Sequence, residues 1–92
     1  MRDGKKEILI LEDEPDVVTY LKTLLEDHGY VTDSAANGWE GMERAKAGPP
    51  DLITLDISMP EKSGIHFYRE IKEDPVLAQV PVVVVTGVTF TG

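Results

Sequence analysis

Acidic side chains directly follow two of the short apolar runs in this sequence. Glu12 and Asp13 come after the run that ends at Leu11, and Asp56 comes after the run that ends at Leu55. Crowded carboxylates repel one another and raise one another's pKa unless a cation joins them. Oxygen ligands with no His or Cys at metal-ligand spacing favour Mg²⁺ or Ca²⁺ over Zn²⁺. If these residues converge, the chemistry that suits them is the binding of a hard divalent cation.

A carboxylate held beside such a cation can also act as a nucleophile. Asp56 could then form an aspartyl phosphate, because the cation would offset the charge of the incoming phosphoryl group. Thr86 follows the apolar run of residues 82–85, and Gly87 comes next to it. A threonine hydroxyl at that point could contact a phosphoryl oxygen, and the glycine leaves room for it. The pattern therefore favours phosphoryl transfer to Asp56.

The elements that would position these residues alternate between strands and helices. Apolar or β-branched runs predict four strands, at residues 8–11, 30–35, 52–55 and 82–85. Segments with helical spacing predict three helices, of which the first starts near Pro15. The second is marked by Trp39, Met42 and Ala45. The third is marked by Ile65, Tyr68 and Ile71. The order βαβαβαβ predicts a doubly wound α/β fold with a parallel sheet and right-handed crossovers. Ligands of such sheets bind beyond the carboxyl ends of the strands, where the candidate residues fall.

Composition restricts the classes of function. The chain has 92 residues, which is enough for one domain, and its net charge of −8 argues against direct binding of nucleic acid. Because there is no cysteine, disulfides and thiolate metal sites are excluded. No apolar run is long enough to span a bilayer, and the charged start is unlike a signal peptide. We therefore predict a cytoplasmic protein with no membrane partner.

These motifs resemble the receiver domains of two-component response regulators, from Ile8 to about Gly87. The matching segments are the acidic pair at residues 12–13, the stretch Asp-Ile-Ser-Met-Pro at 56–60 followed by Gly64, and the stretch at 81–87. The resemblance implies a flavodoxin-like receiver fold in which a sensor histidine kinase or a phosphotransfer protein phosphorylates Asp56. It implies a signalling module that promotes only its own phosphorylation and dephosphorylation, and not an enzyme.

The resemblance also assigns roles to individual residues. It implies that Mg²⁺ is bound by Glu12, Asp13, Asp56 and the main-chain carbonyl of Ser58. Thr86 would report phosphorylation by moving its hydroxyl toward the phosphoryl group.

The sequence departs from this family after the fourth strand. A receiver continues through a fourth helix, a fifth strand and a fifth helix, but only residues 88–92 follow here, without a counterpart of the fifth-strand lysine. We therefore expect residues 1–92 to form a single, incomplete receiver domain with weakened phosphoryl chemistry. The fourth strand would be an apolar sheet edge, for which we expect a homodimer or higher oligomer through this strand or through exchanged elements.

Two other functions fit part of the pattern. One is a receiver fold that acts only through protein contacts and oligomerisation, which metal-dependent phosphorylation would distinguish. The other is a magnesium-dependent phosphohydrolase, which usually has a second Asp where this chain has Ser58.

Several of these residues also have a purely structural interpretation. Acidic residues before a helix are favourable for its dipole, which would be enough to explain Glu12 and Asp13. We interpret Asp51 as a turn former, His28 and His66 as surface residues, and Trp39 as a helix-packing residue.

Overall fold

The computed structural model describes residues 4–56 and 64–85, which form a four-stranded sheet and three α-helices. The elements in chain order are β1 (Glu7–Leu11), α1 (Pro15–Asp27), β2 (Val31–Ala35), α2 (Gly38–Ala47), β3 (Leu52–Leu55), α3 (Gly64–Glu73), a 3₁₀ turn (Leu77–Gln79) and β4 (Val82–Val84). The predicted alternation of strands and helices is therefore confirmed. The predictions for Ser58, Thr86 and Gly87 lie outside the described residues.

All strand pairs in the sheet are parallel, and the spatial order is β2-β1-β3-β4. In this register Leu11 is aligned with Ala35 on one side and with Leu55 on the other. The carboxyl ends of β1 and β3 therefore lie next to each other. The doubly wound parallel fold predicted from the sequence is confirmed.

The main core lies between the sheet and the helices α2 and α3. Alternate residues of a strand point to opposite faces. On this face, β1 and β3 bury Leu9, Leu11, Ile53 and Leu55. The residues that pack with them come from α2, from α3 and from the segment before β4: Met42, Ala45, Phe67, Ile71, Leu77 and Val80. Gly41 allows α2 to approach closely, because a Cβ there would lie 2.8 Å from Leu11 Cδ2. This packing fixes the end of β1 just before Glu12.

One expectation about helix packing was wrong. The side chain of Trp39 is 57% exposed and does not fill the core. In α3, Ile65 and Tyr68 are exposed, whereas Phe67 and Ile71 are buried. The prediction that Ile65, Tyr68 and Ile71 mark a third helix is confirmed, and of these three only Ile71 is buried.

The opposite face of the sheet carries the other set of strand residues, among them Ile8, Ile10 and Thr54. The chain moves from β1 to β2 in one direction along the sheet, and then moves in the opposite direction to β3 and β4. Because each crossover is right-handed, this reversal places α1 on this face and α2 and α3 on the other. Ile8 and Ile10 are buried here, although α1 has no buried residue of its own. The α1 side is therefore less tightly packed than the α2–α3 side.

The two outer strands of the described sheet differ in character. On one side, β2 presents Thr32, Asp33 and Ser34, and both carboxylate oxygens of Asp33 accept from Arg44 Nη1, at 3.1 and 3.0 Å. On the other side, β4 pairs only with β3 among the described residues and consists of three valines. One outer strand is thus polar and the other apolar.

Candidate functional site

Main-chain hydrogen bonds place two acidic residues side by side at the carboxyl edge of the sheet. The N–H of Glu12 donates to the carbonyl oxygen of Ala35 at 3.0 Å, and the N–H of Asp56 donates to that of Leu11 at 3.1 Å. Each residue is therefore tied to a neighbouring strand end. Because the backbone is fixed, the two carboxylates have little freedom to separate.

Three of the five site residues predicted from the sequence converge. One carboxylate oxygen each from Glu12, Asp13 and Asp56 lies within 4.8 Å of the other two. The side chains differ in burial, since Glu12 is 6% exposed, Asp56 is 3% exposed and Asp13 is open to solvent. Ser58 and Thr86 fall in the parts of the chain that the structure leaves undescribed. The acidic cluster therefore has two buried carboxylates and one at its rim.

The electrostatics of the cluster favour a cation. The pKa of Glu12 is raised from 4.5 to about 7, mainly by burial and also by the negative charges of Asp56 and Asp13, and against the lowering effect of the N–H of Glu14. That N–H donates to Glu12 Oε2 at 3.1 Å. A carboxylate that only interacts favourably with the helix dipole would be solvated, and its pKa would not be raised in this way. The donor set fits a hard divalent cation such as Mg²⁺, with waters or an anion completing its coordination on the exposed side.

The main-chain N–H of Glu14 is a site contact that sequence reasoning missed. The N–H of Glu14, at the residue before Pro15, orients the Glu12 carboxylate. Pro15 at the first helical turn was the one sign in the sequence that this N–H, at the start of the helix, would be available to donate to a side chain.

Other polar residues singled out in the sequence lie away from the cluster. Asp51 Oδ2 accepts from the N–H of Glu7 at 2.7 Å, at the amino end of the sheet. The predictions that His28 and His66 are surface residues are confirmed. His28 Nδ1 lies 2.9 Å from the carbonyl oxygen of Leu24 and helps to close α1.

Sequence comparison identifies the chain. Residues 8–90 match the profile of the response regulator receiver domain. The chain belongs to the response regulator receiver domain family. Its flavodoxin-like architecture is the one found in solved receiver structures. Receiver domains of this family are signalling modules of two-component systems and are generally not enzymes.

The receiver domain resembles both curated and solved relatives. It is 37% identical over 79 residues to the protein Rrf1 of Nitratidesulfovibrio vulgaris. The aligned residues cover 86% of this chain and 57% of Rrf1. It is 39% identical, with a TM-score of 0.85, to the signal receiver domain of a signal transduction histidine kinase from Syntrophus aciditrophicus, covering 92% of this chain and 64% of that one. The chain thus spans less than two thirds of the length of these relatives.

A further solved relative has magnesium in its structure. The response regulator TrrA of Thermotoga maritima, in complex with Mg²⁺-BeF, is 34% identical with a TM-score of 0.83, over 91% of this receiver domain and 71% of TrrA. Among the residues described here, none of the helices has the length and apolar character needed to cross a membrane.

Proposed function

We propose that Asp56 accepts a phosphoryl group from a sensor histidine kinase or a phosphotransfer protein, with Mg²⁺ bound at the acidic cluster. The observation that carries this proposal is the convergence of Glu12, Asp13 and Asp56 within 4.8 Å at the carboxyl edge of the sheet. The magnesium complex of the relative TrrA supports it. Such signalling takes place in the cytoplasm, where the ATP that a histidine kinase consumes is available.

The three carboxylates divide two tasks in this reaction. An oxygen of Asp56 attacks the phosphorus, the P–N bond of the donor phosphohistidine breaks, and the imidazole leaves with the electron pair of that bond. Glu12 and Asp13 would hold the cation, which would supply positive charge where the phosphoryl oxygens gather. Because Asp56 is almost fully buried, water has limited access to the acyl phosphate.

The motif assigns two further roles in the undescribed parts of the chain. The main-chain carbonyl of Ser58 would add a ligand to the cation, and the Thr86 hydroxyl would bind a phosphoryl oxygen. Residues 1–92 would act as a single receiver domain, whose altered surface after phosphorylation changes the binding of a partner protein.

An exposed stripe on α1 is the best candidate for the contact with the phosphodonor. Tyr20 is 66% exposed, and Leu24 is exposed one helical turn further on. Both lie on the helix that begins three residues after Glu12. An apolar pair on a surface helix beside the reactive carboxylate is suited to packing against a helical donor.

A double substitution tests this contact. Tyr20→Ala combined with Leu24→Ala should slow transfer from a phosphorylated histidine phosphotransfer protein but leave phosphorylation by acetyl phosphate unchanged. Equal rates with the protein donor in the variant and the parent would contradict the assignment.

The phosphoacceptor itself is tested by intact mass after incubation with acetyl phosphate and Mg²⁺. We expect one added phosphoryl group, which is lost in Asp56→Asn and in the presence of a chelator. Asp27→Asn is the matched control, because Asp27 is exposed at the far end of α1. No addition to the folded parent chain would overturn the proposal. Steady turnover of a generic phosphate ester would instead indicate a phosphohydrolase.

A second candidate function is a protein-interaction module that does not depend on phosphorylation. The observation that favours it is β4, where Val83 and Val84 are 48% and 51% exposed on an outer strand without charge. Such a strand pairs readily with a strand of another chain. We propose self-association through β4, which light scattering tests. Dimers in the parent chain and monomers in Val83→Lys are expected, and a parent chain that is monomeric at all concentrations would contradict this candidate.

A further inference from the structure

Helix α1 is held to the sheet differently from the other two helices. No residue of α1 is buried, although the helix has 13 residues. By contrast, α2 buries Met42 and Ala45, and α3 buries Phe67 and Ile71, within ten residues each. Apolar burial is the main source of helix stability in a protein. α1 therefore gains less from packing than α2 and α3.

The main chain and His28 close the C-terminal end of α1, but α1 lacks a side-chain N-cap and a basic residue in its last turn. Its N-cap residue, Glu14, makes no side-chain capping hydrogen bond, and its last turn contains Glu26 and Asp27 without a basic residue. Acidic residues at that end oppose the helix dipole. In α2, Asn37 Oδ1 accepts from the N–H of Glu40 at 2.9 Å, and basic residues occupy the last turn. The side-chain cap and the charges of the last turn thus favour α2 over α1.

A small polar network joins α1 to the first half of β2. Lys22 Nζ donates to Thr32 Oγ1 at 2.9 Å and approaches the Thr32 carbonyl oxygen at 3.4 Å. Thr32 Oγ1 in turn donates to Glu26 Oε2 at 2.5 Å, and Lys22 lies 3.8 Å from Glu26. We call these three residues the α1 latch. The hydroxyl accepts from a cation and donates to an anion, so each of its hydrogen bonds is charge-assisted.

We propose that the α1 latch controls a local opening in which α1 leaves the sheet as one unit before the rest of the domain unfolds. Thr32 is aligned with Ile8 in the sheet, so the latch lies beside the apolar residues that α1 covers. Opening of α1 exposes Ile8 and Ile10 while the α2–α3 core stays intact. Regions with few buried contacts open at lower free energy than the core.

The opening is coupled to the acidic cluster, a step that rests on the proposed function. α1 begins at Pro15, and Asp13 lies in the segment that leads into it. A cation bound by both Glu12 and Asp13 holds the start of α1 against the strand ends. A ligand that binds only the closed form stabilises that form.

Hydrogen exchange of the 92-residue chain, followed by mass spectrometry without metal, tests the latch. In Lys22→Met, which keeps the aliphatic stem, amides of α1 should exchange about 5- to 30-fold faster, while those of α2 and α3 are unchanged. Thr32→Val should have a similar effect. Lys46→Met is the matched control, since Lys46 is an exposed lysine on α2. Exchange in α1 that is no faster in Lys22→Met than in Lys46→Met would overturn the proposal, and so would equal acceleration in all helices.

A second set of exchange measurements, with Mg²⁺, tests the coupling. Saturating Mg²⁺ should slow exchange of α1 amides in the parent chain but not in Asp13→Asn. If Mg²⁺ binds by calorimetry and α1 exchange does not change, the coupling is wrong. If calorimetry detects no Mg²⁺ binding, the proposed metal site fails, while the metal-free result still decides on the latch.

Discussion

The N–H of Asp56 donates to the carbonyl oxygen of Leu11 at 3.1 Å. This single main-chain bond fixes the end of β3 against the end of β1, so that Asp56 cannot move away from Glu12 without breaking the sheet. Two buried carboxylates are thereby kept close despite their mutual repulsion. The pKa of Glu12 is raised chiefly because the side chain is buried, and also because Asp56 is close to it.

Removal of any one carboxylate should weaken Mg²⁺ binding. Glu12→Gln, Asp13→Asn and Asp56→Asn each remove a charged oxygen ligand, and we expect at least a tenfold rise in Kd, measured by isothermal titration calorimetry. Asp27→Asn, at the distant end of α1, should bind as tightly as the parent. Unchanged affinity in all three cluster variants would show that the cation, if bound, lies elsewhere.

Mg²⁺ affinity should depend on pH near neutrality. Because Glu12 has a pKa of about 7 in the metal-free site, a proton competes with the cation as the pH falls through 7. We expect the affinity to decrease by up to about tenfold per pH unit below pH 7 and to level off above pH 8. In Glu12→Gln the affinity should be lower but much less dependent on pH between 5.5 and 8. A parent chain with constant affinity over this range would contradict the assignment.

The metal-free protein should become less stable as the pH rises from about 4.5 to 7. The folded state holds the Glu12 proton more tightly than the unfolded state, because the pKa is raised on folding. The free energy of unfolding therefore falls across this window and stays low above it. Urea unfolding at pH 8 should show Glu12→Gln to be more stable than the parent by on the order of 1–3 kcal/mol. At pH 4 this gain should disappear; a gain of equal size at both pH values would point to packing as its cause.

Gly41 should not tolerate a branched side chain. A Cβ at this position would lie 2.8 Å from Leu11 Cδ2 and 3.0 Å from Phe67 Cε1, so Gly41→Val forces α2 away from β1 and α3. We expect a loss of about 1–3 kcal/mol in the free energy of unfolding, measured with urea. Gly48→Val is the comparison, because nothing lies within 4 Å of a Cβ there. Equal losses in the two variants would show that the close approach at Gly41 is unimportant.

The sequence was sufficient for the fold because β1, β3 and β4 are continuous apolar runs with clear boundaries, to which the weaker, polar β2 adds the remaining strand. The acidic cluster also followed from the sequence, since parallel strands bring Glu12 and Asp56 to one edge of the sheet. Packing of individual helix residues was less predictable. Phe67 and Tyr68 are neighbouring aromatic residues, and only the position of α3 over the sheet decides that Phe67 is buried and Tyr68 exposed.

Contacts between elements that are distant in the sequence were also beyond prediction. Thr32 had no recognisable role in β2, because Lys22 and Glu26 reach it from a different element. Similarly, hydrophobic spacing says nothing about the main-chain N–H of Glu14, whose direction depends on how the chain turns into α1.

The unlike outer strands of the sheet limit how far strand pairing can extend. Of the described strands, only β2 of each copy would lie at the ends of the combined sheet if two copies joined through β4. There, Asp33 in its ion pair with Arg44 presents charged groups that oppose the addition of a further strand. Pairing of the same strand from each copy is isologous and closes on itself. If two copies pair through β4 as proposed, we expect association through the described sheet to end at a twofold dimer and not to continue into a fibre.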